Sequence, residues 1–179
     1  MDRNVILYLA MSVDGYIADE CGGVGWLDDY ASPDGEDAGY QALLSRIDTV
    51  VMGRRTYDQI VTELSPGQWV YDGLQSFVLT HEQRKNLPEI TFTDKPACEL
   101  IEALKQKPGK DIWISGGASI VRQLVEQELI DEYELTIVPV VLGGGIRLFG
   151  GGRAQRLVFI ESRRENELVT LRYCRAERD

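Results

Sequence analysis

From Asn4 to Met11 the chain reads Asn-Val-Ile-Leu-Tyr-Leu-Ala-Met, apolar nearly throughout. A strand of this kind is covered on both faces, as in a sheet layered between helices. The remaining sequence supplies such helices, because strand-like runs alternate with stretches of helical period, the pattern of an α/β domain. Tyr40, Leu43, Leu44 and Ile47 recur at the spacing of one helix face, and a short strand, Thr49–Met52, follows. A second helix opens at Gly53-Arg54-Arg55-Thr56 and carries Tyr57, Ile60, Val61 and Leu64 on one side.

Strands are expected at Ser76–Thr80 and Glu89–Phe92. Pro96 at a first-turn position starts a third helix with Ala97, Leu100, Ile101 and Leu104 inward. The strand Asp111–Ser115 turns at Gly116-Gly117 into a fourth helix holding Ile120, Val121, Leu124 and Val125. The tail differs, because Tyr133–Leu142, Leu157–Ser162 and Leu168–Cys174 read as strands with no helix between them. The last two form an expected antiparallel hairpin joined through Arg163–Glu167. The expectation is one α/β domain over residues 1–179, with a central mixed, mostly parallel sheet flanked by helices.

A chain of 179 residues can bury such a core without staples. Its apolar runs Val5–Val13 and Ile137–Leu142 are too short to cross a bilayer as helices, and Met1-Asp2-Arg3 leads directly into a strand without a basic leader. The chain therefore reads as cytoplasmic, with no membrane partner. Cys21, Cys98 and Cys174 are far apart and odd in number, which argues against a disulfide framework and a zinc site. With His81 the single histidine and no Gly-x-Ser-x-Gly present, a His-rich metal site and a Ser-His-Asp triad are unsupported, so no metal is expected. A net charge of −10 repels nucleic acid, and any phosphate-bearing ligand must be captured by a local site.

Two segments have the form that captures phosphates. In Val50-Val-Met-Gly53-Arg-Arg-Thr56 a glycine ends the strand and lets a ligand approach the backbone. Arg54 and Arg55 then supply guanidinium groups and Thr56 a hydroxyl. The second segment, Ile112-Trp-Ile-Ser-Gly116-Gly117-Ala118-Ser119, repeats the mechanics without the arginines. Two such turns in one α/β domain suggest a dinucleotide along the carboxyl ends of the strands. Arg54 and Arg55 also read as solvated helix-start residues, although cations sit poorly against a helix N-terminus unless an anion is bound. Neither the Rossmann glycine fingerprint nor the P-loop pattern is present.

The spacing of Ala10-Met-Ser-Val-Asp-Gly-Tyr-Ile17-Ala18, Trp26, Val51-Met-Gly-Arg-Arg-Thr-Tyr57, Phe77-Val-Leu-Thr80 and Ile114-Ser-Gly-Gly-Ala-Ser119 resembles dihydrofolate reductase. The tail from Glu134 to Gly145, followed by Leu148-Phe149, resembles the reductase domain of the bifunctional riboflavin deaminase-reductase and its stand-alone relatives. The resemblance implies the dihydrofolate-reductase-like fold, NADPH as cofactor and a homodimer, with Tyr133–Leu142 pairing across it. By position it implies Gly53, Arg54, Arg55 and Thr56 on the adenosine side and phosphates, and Thr80 and His81 at the 2′-phosphate. It implies Gly116, Gly117, Ala118 and Ser119 at the pyrophosphate and nicotinamide ribose, with Ala10 and Ile17 near the nicotinamide. His81 equally reads as a surface histidine after a strand.

Where folate reductases carry an acid five positions beyond the tryptophan, this chain has Ala31, so folate is disfavoured as substrate. The expected reaction is hydride transfer to a small, pterin- or pyrimidine-like heterocycle. Trp26 and Tyr40 would form an aromatic wall, and Asp28 or Asp29 a polar handle or proton route. The plainer readings are Trp26 as a core anchor and the two aspartates as solvated or capping groups. The alternative function is a nucleotide-binding sensor of the same fold without turnover.

Overall fold

The computed structural model describes residues 3–30 and 38–176. Its strands are β1 (Val5–Ser12), β2 (Tyr16–Ala18), β3 (Ile47–Gly53), β4 (Gln75–Leu79), β5 (Ile90–Thr93), β6 (Asp111–Gly116), β7 (Glu132–Val138), β8 (Ile146–Arg147), β9 (Leu157–Glu165) and β10 (Leu168–Arg175). The helices are α1 (Ala38–Arg46), α2 (Arg54–Gln59), α3 (Ala97–Lys105) and α4 (Ala118–Glu126). Eight strands form one sheet in the order β5-β4-β3-β6-β1-β7-β10-β9, parallel from β5 to β7, with β10 and β9 added antiparallel.

The doubly covered first strand is realised. Val5 and Leu7 face one cluster with Leu100, Ile101 and Leu104 of α3 and Val121 and Leu124 of α4. Ile6 faces the opposite cluster with Leu43 of α1 and Tyr57 of α2. β3 and β6 divide in the same way, Val51 and Ile114 to the α3/α4 side and Met52 and Trp113 to the α1/α2 side.

Four sequence expectations are corrected. Helix α1 stops at Arg46, and Ile47 is the first residue of β3, buried at the point where helix period and strand period share one apolar residue. Beyond Gln59 the second helix widens over Ile60–Leu64, with Ser65 N–H donating to the Ile60 carbonyl at 2.8 Å, and Leu64 rotates into solvent. β7 ends at Val138 because Pro139 brings no N–H to the ladder. Both its edges are taken, by β1 and β10, so β7 is not free to pair across a dimer. In the hairpin, the charged residues Arg163–Glu165 lie within β9, and the turn is reduced to Asn166-Glu167, with Asn166 at φ 53°.

The glycine-rich tail has a local purpose. Asp14 accepts the Ser12 hydroxyl at 2.6 Å and the amides of Leu142 and Gly143 at 3.1 and 2.8 Å, which pins the tail to the end of β1. Gly145, at φ 128°, lies where an added Cβ would run into the Ala18 carbonyl, so only glycine lets β8 pair with β2. The Ser12 hydroxyl first, with the two amides, holds the Asp14 carboxyl down at about 2, against some desolvation. A lowered carboxyl favours the folded state fully above its unfolded value, and the contribution is lost as pH falls through about 2. NMR titration of the Asp14 carboxyl should therefore show a midpoint near 2; a midpoint near the ordinary value of ~3.9 would contradict the clasp.

Candidate functional site

The sheet opens between β6 and β1. Their ladder runs only from Val5↔Ile112 to Leu7↔Ile114, while β1 stays paired to β7 as far as Ser12↔Val138. Leu9 to Ser12 therefore run on past the end of that ladder, beside Ser115–Gly117. The chain leaves β1 toward β3 on one side and leaves β6 toward β7 on the other. Strands whose connections part in this way flank the crevice where α/β sheets bind ligands.

The two glycine turns that the sequence singled out meet next to this crevice, at the neighbouring ends of β3 and β6. Met52 of β3 pairs with Gly116 of β6, so both strands end side by side. A Cβ placed on Gly53 would lie 3.8 Å from the Gly117 nitrogen and 3.4 Å from Ile120 Cδ1. A Cβ on Gly117 would lie 3.7 Å from the Thr56 hydroxyl. Thr56 thus leans over the Gly116-Gly117 peptide, which is cis, and Gly116 holds φ 130°, a conformation that glycine alone adopts readily. Gly53 and Gly117 are also the N-caps of α2 and α4, and neither helix start has a side-chain cap among the described residues. Such uncapped N–H groups suit an anion.

Around this cradle the cofactor candidates take distinct places. Ala10 and Ile17 are half-buried, Ala10 opposite Thr136 of β7 and Ile17 against the α3/α4 core. Arg55 and Ser119 are exposed, Ala118 half-buried. Arg54 bonds Asp58 at 3.1 Å and approaches Glu82 at 3.4 Å. Thr80 is buried just past β4, and its hydroxyl accepts the Glu82 amide at 3.0 Å, with His81 exposed between them.

The sequence reading missed Arg84, which joins this group through Asp58 at 2.7 Å and Glu82 at 3.1 Å. Its guanidinium lies 5.9 Å from the Tyr57 ring centroid and 5.7 Å from that of Phe92, a cation–π arrangement. Nothing local marks Arg84, since it sits in the polar run His81-Glu-Gln-Arg-Lys.

On the α1/α2 face, Tyr40 packs on Trp113 at 5.8 Å and Tyr8 at 6.4 Å, so it belongs to an aromatic cluster over the end of β6. Trp113 ties β6 to β1 by donating its indole N–H to the Tyr8 carbonyl at 2.9 Å. Trp26 is half-buried in the 3-10 turn Gly25–Tyr30, and its buried indole N–H has no partner among the described residues. Asp28 and Asp29, on the same turn, are both exposed. Ala31 lies outside the described residues. Sequence reading also missed Tyr71, whose ring meets Trp113 at 5.0 Å. Burial pushes its hydroxyl pKa up, against a hydrogen bond shared with the Ser115 side chain. The hydroxyl thus keeps its proton beside the strand end that carries the Gly116-Gly117 turn. Among the described residues no group of His, Cys, Asp and Glu is arranged to hold a metal ion, and no helix is long and apolar enough to cross a membrane.

The sequence model of the RibD C-terminal domain matches residues 3–171. The uncharacterized Bacillus subtilis (strain 168) protein YwjB is 36% identical over 181 residues, covering 98% of this chain and 100% of that protein. The crystal structure of a Shewanella sp. PV-4 protein named for riboflavin biosynthesis has a TM-score of 0.85 at 30% identity, covering 99% of this chain and 100% of that one. Dihydrofolate reductase from Enterococcus faecalis, complexed with NADP(H), has a TM-score of 0.68 at 16% identity over 97% of each chain, a likeness of fold. The dihydrofolate-reductase-like fold expected from the sequence is the fold observed.

Proposed function

Because the chain belongs to the RibD C-terminal domain family, whose fold is that of the dihydrofolate reductases, we propose that it is an NADPH-dependent reductase of a small heterocyclic substrate, pterin- or pyrimidine-like. The observation that carries this reading is the meeting of the two glycine-edged ends of β3 and β6, next to the crevice between β6 and β1. A cradle that an added Cβ would narrow, flanked by uncapped helix starts and arginines, fits a dinucleotide phosphate.

In this reading Gly53, Thr56 and Gly116–Ser119 hold the pyrophosphate and ribose, and Ala10 and Ile17 border the nicotinamide. Arg54, Arg55, Thr80 and His81, joined now by Arg84, hold the 2′-phosphate. The bound nicotinamide supplies the hydride. The chain's own residues orient the substrate, exclude water and carry the proton that balances the hydride. Trp26 and Tyr40 wall the substrate, with Asp28 or Asp29 as the polar handle. For the proton, the half-buried Tyr71 hydroxyl is a second candidate beside the two exposed aspartates. A homodimer belongs to the same proposal, through the sheet edge at β9, where Val158, Phe159 and Ile160 are exposed.

Turnover is tested by NADPH oxidation against a panel of pterins, flavin precursors and quinones, using cofactor deuterated at C4. Deuterium in a reduced product supports the reductase. Nucleotide binding with no turnover across the panel would favour the sensor. With a substrate in hand, Tyr71→Phe is expected to lower kcat about 10²-fold with NADPH affinity unchanged. An unchanged kcat would return the proton to Asp28 or Asp29.

A further inference from the structure

Arg54, at the start of α2, and Arg84, in the loop after β4, are not free to meet a phosphate. Arg54 and Arg84 share two carboxylates, and the four side chains close into an internally neutral group. Asp58 bonds both guanidinium groups, at 3.1 Å to Arg54 and at 2.7 and 3.3 Å to Arg84. Glu82 also faces both, 3.4 Å from Arg54 and 3.1 Å from Arg84. The two acids differ in how they are held. Asp58 sits inside α2, on the element that carries Arg54, and its side chain is 32% exposed. Glu82 lies on the loop after β4, its amide donating to the Thr80 hydroxyl, and its side chain is 53% exposed. Arg84 is fixed from beneath by the Tyr57 and Phe92 rings, which meet edge to face at 5.1 Å.

We propose that Glu82 is a specificity-determining residue: its carboxylate occupies, in the free protein, the guanidinium donors that a 2′-phosphate would use, and it must yield them before that phosphate can bind. The inference rests on the nucleotide reading above. Asp58 is the frame that keeps both arginines in place, and Glu82 is the displaceable anion. Its negative charge opposes a phosphate but not a bare ribose hydroxyl, so it narrows the preference for NADPH over NADH. Arg84, whose pKa is raised by Asp58 first and Glu82 second, stays charged throughout and is the donor released when Glu82 swings away.

The test is calorimetric titration of the parent, Glu82→Gln and the double variant Glu82→Gln/Arg84→Ala with 2′-phospho-AMP and with AMP, at low and moderate salt. Thermal melts check that each variant is folded. Glu82→Gln is expected to bind 2′-phospho-AMP about tenfold more tightly than the parent, as removal of one nearby like charge predicts. AMP affinity should be unchanged, the gain should shrink in salt, and the double variant should lose it. If the parent binds 2′-phospho-AMP and Glu82→Gln brings no gain, the inference fails and the nucleotide reading stands. If Glu82→Gln weakens AMP binding, Glu82 is instead an acceptor for the ribose hydroxyl, and the inference is overturned. If neither protein binds either nucleotide, the underlying reading fails and takes the inference with it.

Discussion

Replacing Arg3 with alanine is expected to lower folding stability by about 2–4 kcal/mol, because a buried guanidinium loses several hydrogen bonds while its half-exposed partner Asp48 regains water. Arg3 is 4% exposed at the start of the central strand. Its guanidinium donates to the Lys110 and Leu104 carbonyls, to the Thr49 hydroxyl and to the Asp48 carboxylate. It thereby joins the N-terminal end of β1 to α3, β3 and the turn before β6. Alanine leaves these acceptors facing a cavity. In thermal melts the loss corresponds to a fall of roughly 10 °C for a chain of this size. Arg3→Lys should recover only part of it, because an ammonium cannot fork to four acceptors. A change below about 1 kcal/mol would show that the cluster is tolerated rather than required.

The largest functional effect is expected at Gly53→Val. The backbone there is ordinary, at φ −82°, so the substitution introduces no conformational strain. Space is what it removes, since the added Cβ already stands 3.4 Å from Ile120 Cδ1 and 3.8 Å from the Gly117 nitrogen. The two γ-methyl groups must fill the crease where the turns meet. NADPH affinity should fall by about 100-fold or more, equivalent to about 2.7 kcal/mol, with melting temperature little changed. Gly53→Ala should retain a measurable part of the affinity. Undiminished binding by the valine variant would place the nucleotide elsewhere.

Much of this architecture is legible in the sequence because it is written locally. The apolar run through Val5–Leu7, the helical period of Leu100, Ile101 and Leu104, and the strand–glycine–helix junctions at Gly53 and Gly116 each need only a dozen residues to be read. The features that escaped are those defined by partners far along the chain. β8 is two residues long and exists because Gly145 lets it reach β2, just after Gly143 is clasped to Asp14, 129 positions away. Arg3 looks like a terminal charge until Asp48 and Leu104 surround it. The same holds for the site. Arg54 is visible as a cation at a helix start, but its engagement by Asp58 and Glu82, and the arrival of Arg84, follow from β4 lying beside β3. Ile47 and Leu64 depart from the helical expectation for a smaller reason: apolar periodicity persists across a junction or a widened turn where the backbone has already changed.

The central claim, that the crevice between β6 and β1 with its flanking arginines holds NADPH, is tested most directly by calorimetric titration of the intact protein with NADPH and NADH in moderate salt. Saturable NADPH binding at one site per chain, tighter than NADH and lost in Gly53→Val, is the result expected. Absence of binding to either dinucleotide would contradict the account, leaving the fold without the function proposed for it.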